Sequence, residues 1–218
     1  MGEAVEPELP KTAYASTARR ESAVETFLAA KQAIGPIEKG MSRFLVSRGQ
    51  FSMLDAILHA LDEIGPSSIS VWTWAIADYE VELVCGVLAR KELKYARLMI
   101  DNSKFAKRHW VVGHWRKRFG HDSVRIVKNH AKMSRVWNDD YRILFRGSMN
   151  FNCNAQFEQL DVSEGGPEFD LVARIESELP AVPDDPTQDE VNNATSVGKA
   201  YEFSTLPGMF KGVKPWRA

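Results

Sequence analysis

The stretches 69–77 (ISVWTWAIA), 95–100 (YARLMI) and 123–128 (SVRIVK) decide the fold. Each is a short run of apolar, β-branched or aromatic residues, which is typical of a buried strand. Helical patterns over 79–91 and 104–119 separate them, so strands and helices alternate. This alternation predicts an α/β fold with a mixed, largely parallel sheet flanked by helices. Ligands of such sheets bind at the carboxyl ends of the strands.

The sequence outside these runs divides the chain into three parts. Residues 1–38 contain prolines around one stretch of helical spacing, 21–33, and are predicted to form an N-terminal arm. Residues 39–178 form the predicted folded domain, which includes a further helix over 51–64. Residues 179–218 begin with linker composition and end in an apolar segment. That segment is expected to dock on its own domain, on a second copy or on another protein.

The composition is that of a globular protein without a membrane segment. The chain has 218 residues, of which 44% are hydrophobic and 26% charged. No apolar run approaches the roughly 18 residues that a membrane-spanning helix needs, and the N-terminus has no signal-peptide pattern. Cys85 and Cys153 are too few for a disulfide framework or a zinc site. These observations predict a soluble, cytoplasmic protein with reduced thiols and no metal.

Charge is distributed unevenly along the chain. Residues 90–146 contain sixteen Lys and Arg against five Asp and Glu, whereas 158–190 contain eleven acids and one base. The basic half could form a positive surface that attracts phosphates. The acidic half could shield that surface, line another face or keep the protein soluble, and scattered solvated charge is the remaining alternative.

The predicted helix 104–119 interleaves aromatic residues with bases, among them Lys104 and Lys107. Base stacking combined with phosphate contacts would suit nucleic acid. Packing of the aromatic side chains in the core, with a solvated basic face, is the more ordinary explanation.

A group of reactive side chains follows the third strand. His130 and Lys132 alternate with Ala131 and Met133, so on a strand they share a face. A second predicted strand, 141–146, is followed by Gly147-Ser148-Met149-Asn150, in which Ser148 and Asn150 also share a face. If the two strands pair, these four polar side chains meet. A neutral imidazole can attack phosphorus, while Lys132 and Asn150 hold the non-bridging oxygens.

Residues 129–162 resemble the active-site motif of the phospholipase D superfamily, which reads His-x-Lys, Asp, Gly-Ser-x-Asn and a later Glu or Asp. His130-x-Lys132 and Gly147-Ser148-x-Asn150 match it. Asp161 takes the place of the later acid, and Asp140 keeps the family's distance to Gly147, although Trp137 stands five residues after the Lys. The resemblance implies a phospholipase D-like sandwich over 39–178. It also implies that Asp161 orients the attacking histidine and that Asp140 is structural.

The resemblance further implies a metal-independent phosphodiesterase that works without a cofactor through a covalent phosphohistidine. The family needs two histidines, one attacking and one protonating the leaving group, and this chain carries one motif. It is therefore expected to be a homodimer with two facing copies of His130. A nuclease is the leading interpretation, and the bases expected to bind its substrate are Lys128, Arg135, Arg146, Lys104 and Lys107. The alternatives are a hydrolase of lipids or small phosphodiesters and a catalytically weakened scaffold.

Overall fold

The computed structural model describes residues 20–26, 29–73, 85–86, 88, 93–101, 109–151 and 155–181, with 20–26 and 109–111 described as backbone. Its elements, in chain order, are β1 (Arg20–Thr26), α1 (Ala30–Ile34), β2 (Met41–Ser47), α2 (Met53–Ile64), β3 (Ser68–Thr73), β4 (Tyr95–Asp101), α3 (His109–Phe119), β5 (Val124–Val127), β6 (Lys132–Trp137), β7 (Arg142–Gly147), β8 (Glu158–Glu164) and α4 (Pro167–Glu178).

The strands form one sheet with the order β1-β2-β8-β7-β6-β3-β4-β5. The predicted α/β class and the mixed sheet are confirmed. β3, β4 and β5 are parallel, as the strand and helix alternation predicts, and β1 is parallel to β2. The sheet is less parallel than predicted, because β7 is antiparallel to both β6 and β8, β6 is antiparallel to β3, and β8 is antiparallel to β2. A connection as short as 138–141 can join only antiparallel strands.

Helices cover the sheet on both faces. Side chains on one face, including Val136, Phe145 and Leu160, pack in a core with α1, α2 and α3. On the other face, Leu144, Trp72 and neighbouring residues of the sheet pack with Phe169 and Val172 of α4. The two cores follow from strand alternation, since successive side chains of β7 enter opposite layers. The result is a helix, sheet, helix sandwich among the described elements.

Helix α2 confirms the helix expected over 51–64 and shows why it begins at Met53. Ser52 caps the helix: its hydroxyl accepts from the backbone N–H of Asp55, whose carboxylate accepts from the backbone N–H of Ser52 at 2.7 Å. Such a capping box satisfies two helix-end donors reciprocally. The N–H of Met53 donates to the backbone carbonyl of Asn150 at 3.1 Å, so the start of α2 is attached to the segment after β7.

The N-terminal segment departs from its predicted structure. A helix was expected over 21–33, but Arg20–Thr26 is a strand that pairs with β2, and only Ala30–Ile34 is helical. Pairing with a neighbouring strand overrides a weak local helical pattern. Ile34 is buried in the core between the sheet and α2. Part of the predicted arm therefore belongs to the folded domain.

Some predicted features lie largely or wholly outside the described residues. These are most of the helix expected over 79–91, the start of the one expected over 104–119, Cys153 and the segment beyond 181. Cys85 is described and is a buried free thiol, as expected. Burial raises the pKa of the Cys85 thiol to about 11, with a smaller opposing effect from Arg118, so the thiol stays protonated at neutral pH.

Candidate active site

The predicted catalytic segment lies at one end of the sheet. β6 begins at Lys132, which pairs with Gly147 at the end of β7, and Gly147 pairs in turn with Leu160 of β8. Met133 lies opposite Trp72, near the carboxyl end of β3. Because α/β sheets bind ligands at the carboxyl ends of their parallel strands, the antiparallel hairpin delivers its polar side chains to the expected end.

His130 and Lys132 are in contact there. The Lys132 ammonium lies 3.3 Å from Nδ1 of His130 and donates to the His130 backbone carbonyl at 3.1 Å. An ammonium only donates, so Nδ1 is the acceptor in this contact and a neutral ring then carries its proton on Nε2. His130 is exposed and Lys132 half-buried. An imidazole and an ammonium group therefore stand together at a solvent-accessible position.

A turn that the sequence analysis did not single out holds His130 in place. The side-chain oxygen of Asn129 accepts from the N–H of Ala131 at 2.8 Å, and its amide donates to the Ala131 carbonyl at 3.1 Å. The backbone N–H of Asn129 donates to the buried carboxylate of Asp101, at the end of β4, at 2.8 Å. Asn is a common residue for such side-chain turns. The position of Asn129 between β5 and His130 was therefore the sequence signal for this turn.

Ser148 and Glu158 form the second part of the cluster. The Ser148 hydroxyl donates to the Glu158 carboxylate and accepts from the backbone N–H of Gln159 at 3.0 Å. The backbone N–H of Ser148 donates to the Gln159 carbonyl at 3.1 Å. Ser148 is thus fixed to the start of β8, and its hydroxyl orients a carboxylate. Spacing in the sequence did not identify Glu158, although Glu158 alternates along the strand with the same parity as the core residue Leu160.

Gly147 is required by the close approach of β7 and β8. A Cβ atom at this position would overlap the carbonyl oxygen of Gln159 and lie 2.9 Å from its carbonyl carbon. Both atoms are backbone and cannot move without displacing the strand. The same carbonyl accepts from the N–H of Ser148. The glycine of the Gly-Ser-x-Asn motif therefore sets the position of the serine beside Glu158.

The Gly147→Ala variant is expected to be destabilised by about 1–3 kcal/mol or more, since overpacking against fixed atoms forces the backbone to shift. Urea unfolding measures the loss. Gly113→Ala is the matched control: Gly113 is exposed in α3 with open space around its Cβ position, and this change should raise the free energy of unfolding by about 0.5–1 kcal/mol. Equal stabilities for the two variants would contradict the close approach.

Asn150 is held through its backbone, whose carbonyl accepts from Met53. Its side-chain Oδ1 is buried and has no hydrogen-bond partner among the described residues. An unpaired buried polar atom costs roughly 1–3 kcal/mol, and folded proteins contain few of them. The carboxamide oxygen of Asn150 is thus an acceptor that the described part of the chain does not use.

Asp161 does not join this cluster within its own chain. It pairs with Arg146 of β7 and with Phe44 of β2, whereas Lys132 stands in the row of Leu160. Neighbouring residues of a strand point to opposite faces, so Asp161 lies on the face that α4 packs against. The expected contact between Asp161 and the histidine of the same chain is therefore not made.

Asp140 is also distant from the cluster. It is exposed in the turn between β6 and β7, where its N–H donates to the side chain of Asn138 at 3.0 Å. Lys132 begins β6, and the turn follows the end of that strand at Trp137, roughly 16 Å of extended chain away. Asp140 therefore lies in the hairpin turn and contributes no group to the end of the sheet that holds His130.

The predicted substrate-binding bases differ in their positions relative to the candidate site. Lys128 is exposed directly before the turn that holds His130. Arg135 is buried on the opposite face, where it pairs with Glu176, so it is unable to bind substrate there. The Arg146 guanidinium lies 3.9 Å from the Glu168 carboxylate of α4. Lys104 and Lys107 lie outside the described residues.

The basic half of the chain is partly neutralised by the acidic half. Besides the pairs of Arg135 and Arg146 with α4, Arg142 lies 2.7 Å from Asp170. Arg125 is buried and donates to the Leu179 carbonyl after α4 at 3.0 Å. Burial, followed by the charge of Arg97, lowers the pKa of the Arg125 guanidinium. These contacts favour the alternative in which the acidic segment shields the basic one.

No protein-family model matches the chain, and no curated protein is significantly similar to it. The described helices include none with the length and apolar character that crossing a bilayer requires. Within the same described ranges, no three His, Cys, Asp or Glu side chains gather in a group that could hold a metal ion.

Proposed function

We propose that the chain is a metal-independent phosphodiesterase, and specifically a nuclease acting on DNA or RNA. The observation that carries this proposal is the contact between His130 and Lys132 at the carboxyl end of the sheet, beside the Ser148–Glu158 pair. The resemblance of residues 129–162 to the phospholipase D superfamily supports the same chemistry, since that family uses a histidine nucleophile and a lysine instead of a metal.

The reaction proceeds in two displacements. The imidazole of His130 attacks phosphorus, a P–N bond forms, and the bond to the leaving oxygen breaks. Water then attacks the phosphohistidine and releases the second product. Lys132 exchanges its contact with Nδ1 and the His130 carbonyl for a non-bridging phosphate oxygen, which is a stronger, charge-assisted partner. This exchange also frees Nδ1 to carry the ring proton, so that Nε2 can attack. The Asn150 amide adds a second donor to the phosphate.

The proton for the leaving oxygen must come from a second group. His59 of α2 is buried and donates to the Gly35 carbonyl at 2.7 Å. His121 precedes β5 and so lies at the opposite end of the sheet. We propose that the acid is His130 of a second copy, in a two-fold dimer whose motifs face each other. Both displacements then take place at the interface.

The test compares four substrates in excess EDTA: plasmid DNA, an RNA oligonucleotide, phosphatidylcholine vesicles and bis(4-nitrophenyl) phosphate. Wild-type protein and His130→Ala are purified in parallel, and sedimentation measures the oligomeric state. We expect the wild-type protein to be a dimer that cleaves nucleic acid and the synthetic diester, and His130→Ala to be inactive. Cleavage of the vesicles but not of nucleic acid would support a lipid hydrolase. A folded dimer inactive on all four substrates would leave a scaffold, and a strict monomer would remove the proposed acid.

A further inference from the structure

Part of one sheet face has no described helix over it. On the side of α4, the core takes its sheet residues from β7, β6, β3, β4 and β5, and among the described residues it takes none from β2 or β8. β2 and β8 pair with each other, with Phe44 opposite Asp161. Because Asp161 projects to the side of α4, Phe44 does too. These two strands therefore form a strip beside α4 that the described helices leave open.

Apolar side chains are exposed on this strip. Val46 and Phe157 share the parity of Phe44 and Asp161 along their strands, so they project to the same face. Phe44 is 38% exposed and Phe157 65% exposed, and the half-buried Val46 lies between them. Two of the three large apolar side chains that are exposed in the described part of the chain thus lie on one strip. Singly scattered ones are ordinary, whereas a group on one surface indicates a contact.

A carboxylate on the same strip lacks a partner. Asp161 is half-buried, and its carboxylate makes no ion pair or hydrogen bond with any described residue. Arg146, its partner residue on β7, lies 3.9 Å from Glu168 of α4 instead. Partial burial of a carboxylate is unfavourable unless a donor or a cation compensates it. The strip therefore suits a segment that carries both apolar side chains and bases.

We propose that residues 201–218 of the same chain dock on this strip. The segment lies outside the described residues. It contains seven large apolar side chains, and three Lys and Arg against one acid. Residues 1–19, the other terminal segment, contain one aromatic residue, and three acids against two bases. Composition and charge therefore favour 201–218, and this inference does not depend on the proposed nuclease function.

The chain between α4 and this segment is long enough to reach the strip. It leaves α4 on the same face of the sheet, where the Leu179 carbonyl accepts from Arg125 of β5 at 3.0 Å. β5 and β8 are five positions apart in the strand order, which is about 24 Å at the usual strand spacing. Residues 182–200 are 19 residues, and a flexible chain of that length spans roughly 24 Å on average. Docking within one chain therefore requires no stretching of the connection.

Hydrogen exchange of the full-length protein tests the docking. Amides of 201–218 should exchange more slowly than those of an unfolded peptide of the same sequence. Phe44→Ala and Phe157→Ala should each raise the exchange rate of this segment by about 10-fold or more, because each ring contributes apolar contact to the docked state. Exchange in α2 should not change. Leu171→Ala is the matched control, since Leu171 is also a large exposed apolar residue but lies on α4 and not on the strip. Exchange in 201–218 that neither ring affects, or that is unprotected in the wild type, overturns the inference.

Carbodiimide cross-linking identifies what occupies the strip. An equal mixture of unlabelled and ¹⁵N-labelled protein is treated, and mass spectrometry identifies the peptides linked to Asp161. We expect links from Asp161 to Lys211 or Lys214 within chains of the same label, and none in Asp161→Asn. Links between differently labelled chains would assign the strip to a second copy, and links to Lys11 would assign it to residues 1–19. Each of these two results, like the absence of any link to Asp161, overturns the inference.

Discussion

Replacement of His130 by alanine is expected to lower the rate of phosphodiester cleavage by about 10⁴-fold or more, as the removal of other nucleophiles does. The side chain is exposed, so little packing is lost and the melting temperature should remain close to that of the wild type. Lys132→Ala should cost about 10²- to 10³-fold, because one charge-stabilising donor is removed and the nucleophile remains. Single-turnover rates measure both effects.

The matched control for this prediction is His121→Ala. His121 is another exposed histidine, but it lies in the short turn before β5, at the opposite end of the sheet. Its removal should leave the cleavage rate within a factor of two of the wild type. A large loss in both variants would indicate a general effect of histidine removal on the fold and not the loss of a nucleophile.

The covalent step has its own readout. Rapid acid-free denaturation of wild-type protein during turnover of a ³²P-labelled substrate should leave label on the chain, and the label should be released by acid, as expected for a P–N bond. His130→Ala should carry none. A wild-type protein that turns over substrate without acquiring label, at every time sampled, would argue for direct attack by water with the histidine as a base.

The parts of the fold that the sequence predicted well are those in which local pattern and tertiary environment agree. β3, β4 and β5 are apolar runs that are buried on both faces, so their composition alone identifies them. Helix α2 has one apolar face and a capping residue at its start. The segment 20–26 is different, because its structure comes from pairing with β2 and no local signal specifies that partner.

The candidate site was predicted in part for a related reason. His130 and Lys132 are in contact, and Ser148 directly follows Gly147, the strand partner of Lys132; this arrangement follows from spacing. Whether Glu158 or Asp161 lies on the same face as Lys132 depends on strand parity, and a shift of one residue in the strand register reverses that parity. The fate of Arg135 depends on α4, whose acid reaches it from 41 residues away. Spacing along a strand predicts neither which of Glu158 and Asp161 faces Lys132 nor which acid pairs with Arg135.

The buried carboxylate of Glu176 is the second position with a large expected effect. It lies in α4 at 1% exposure and accepts from the Ser70 hydroxyl at 2.7 Å and the Trp72 indole at 2.8 Å, besides pairing with Arg135. The Arg135 guanidinium also stacks on Trp137, 4.4 Å from its ring centroid. One carboxylate therefore joins α4 to β3 and β6 through three donors.

The Glu176→Ala variant is expected to lose about 3–5 kcal/mol of unfolding free energy, because it leaves the Arg135 charge buried without its partner. Two further donors, on Ser70 and Trp72, also lose their acceptor. Urea unfolding measures the change, and α4 should be the first element to lose protection from amide hydrogen exchange. The cleavage rate of the remaining folded protein should change far less than its stability, since Glu176 lies on the face opposite to Lys132.

A double variant, Arg135→Met with Glu176→Leu, is the control for this interpretation. Replacing both charges with apolar side chains of similar size removes the uncompensated charge, and such exchanges are often neutral or stabilising. The double variant should therefore recover most of the unfolding free energy that Glu176→Ala loses. If the two proteins unfold at the same urea concentration, the loss comes from the packing of α4 or from the Ser70 and Trp72 donors, and the buried ion pair contributes little to holding this helix on the sheet.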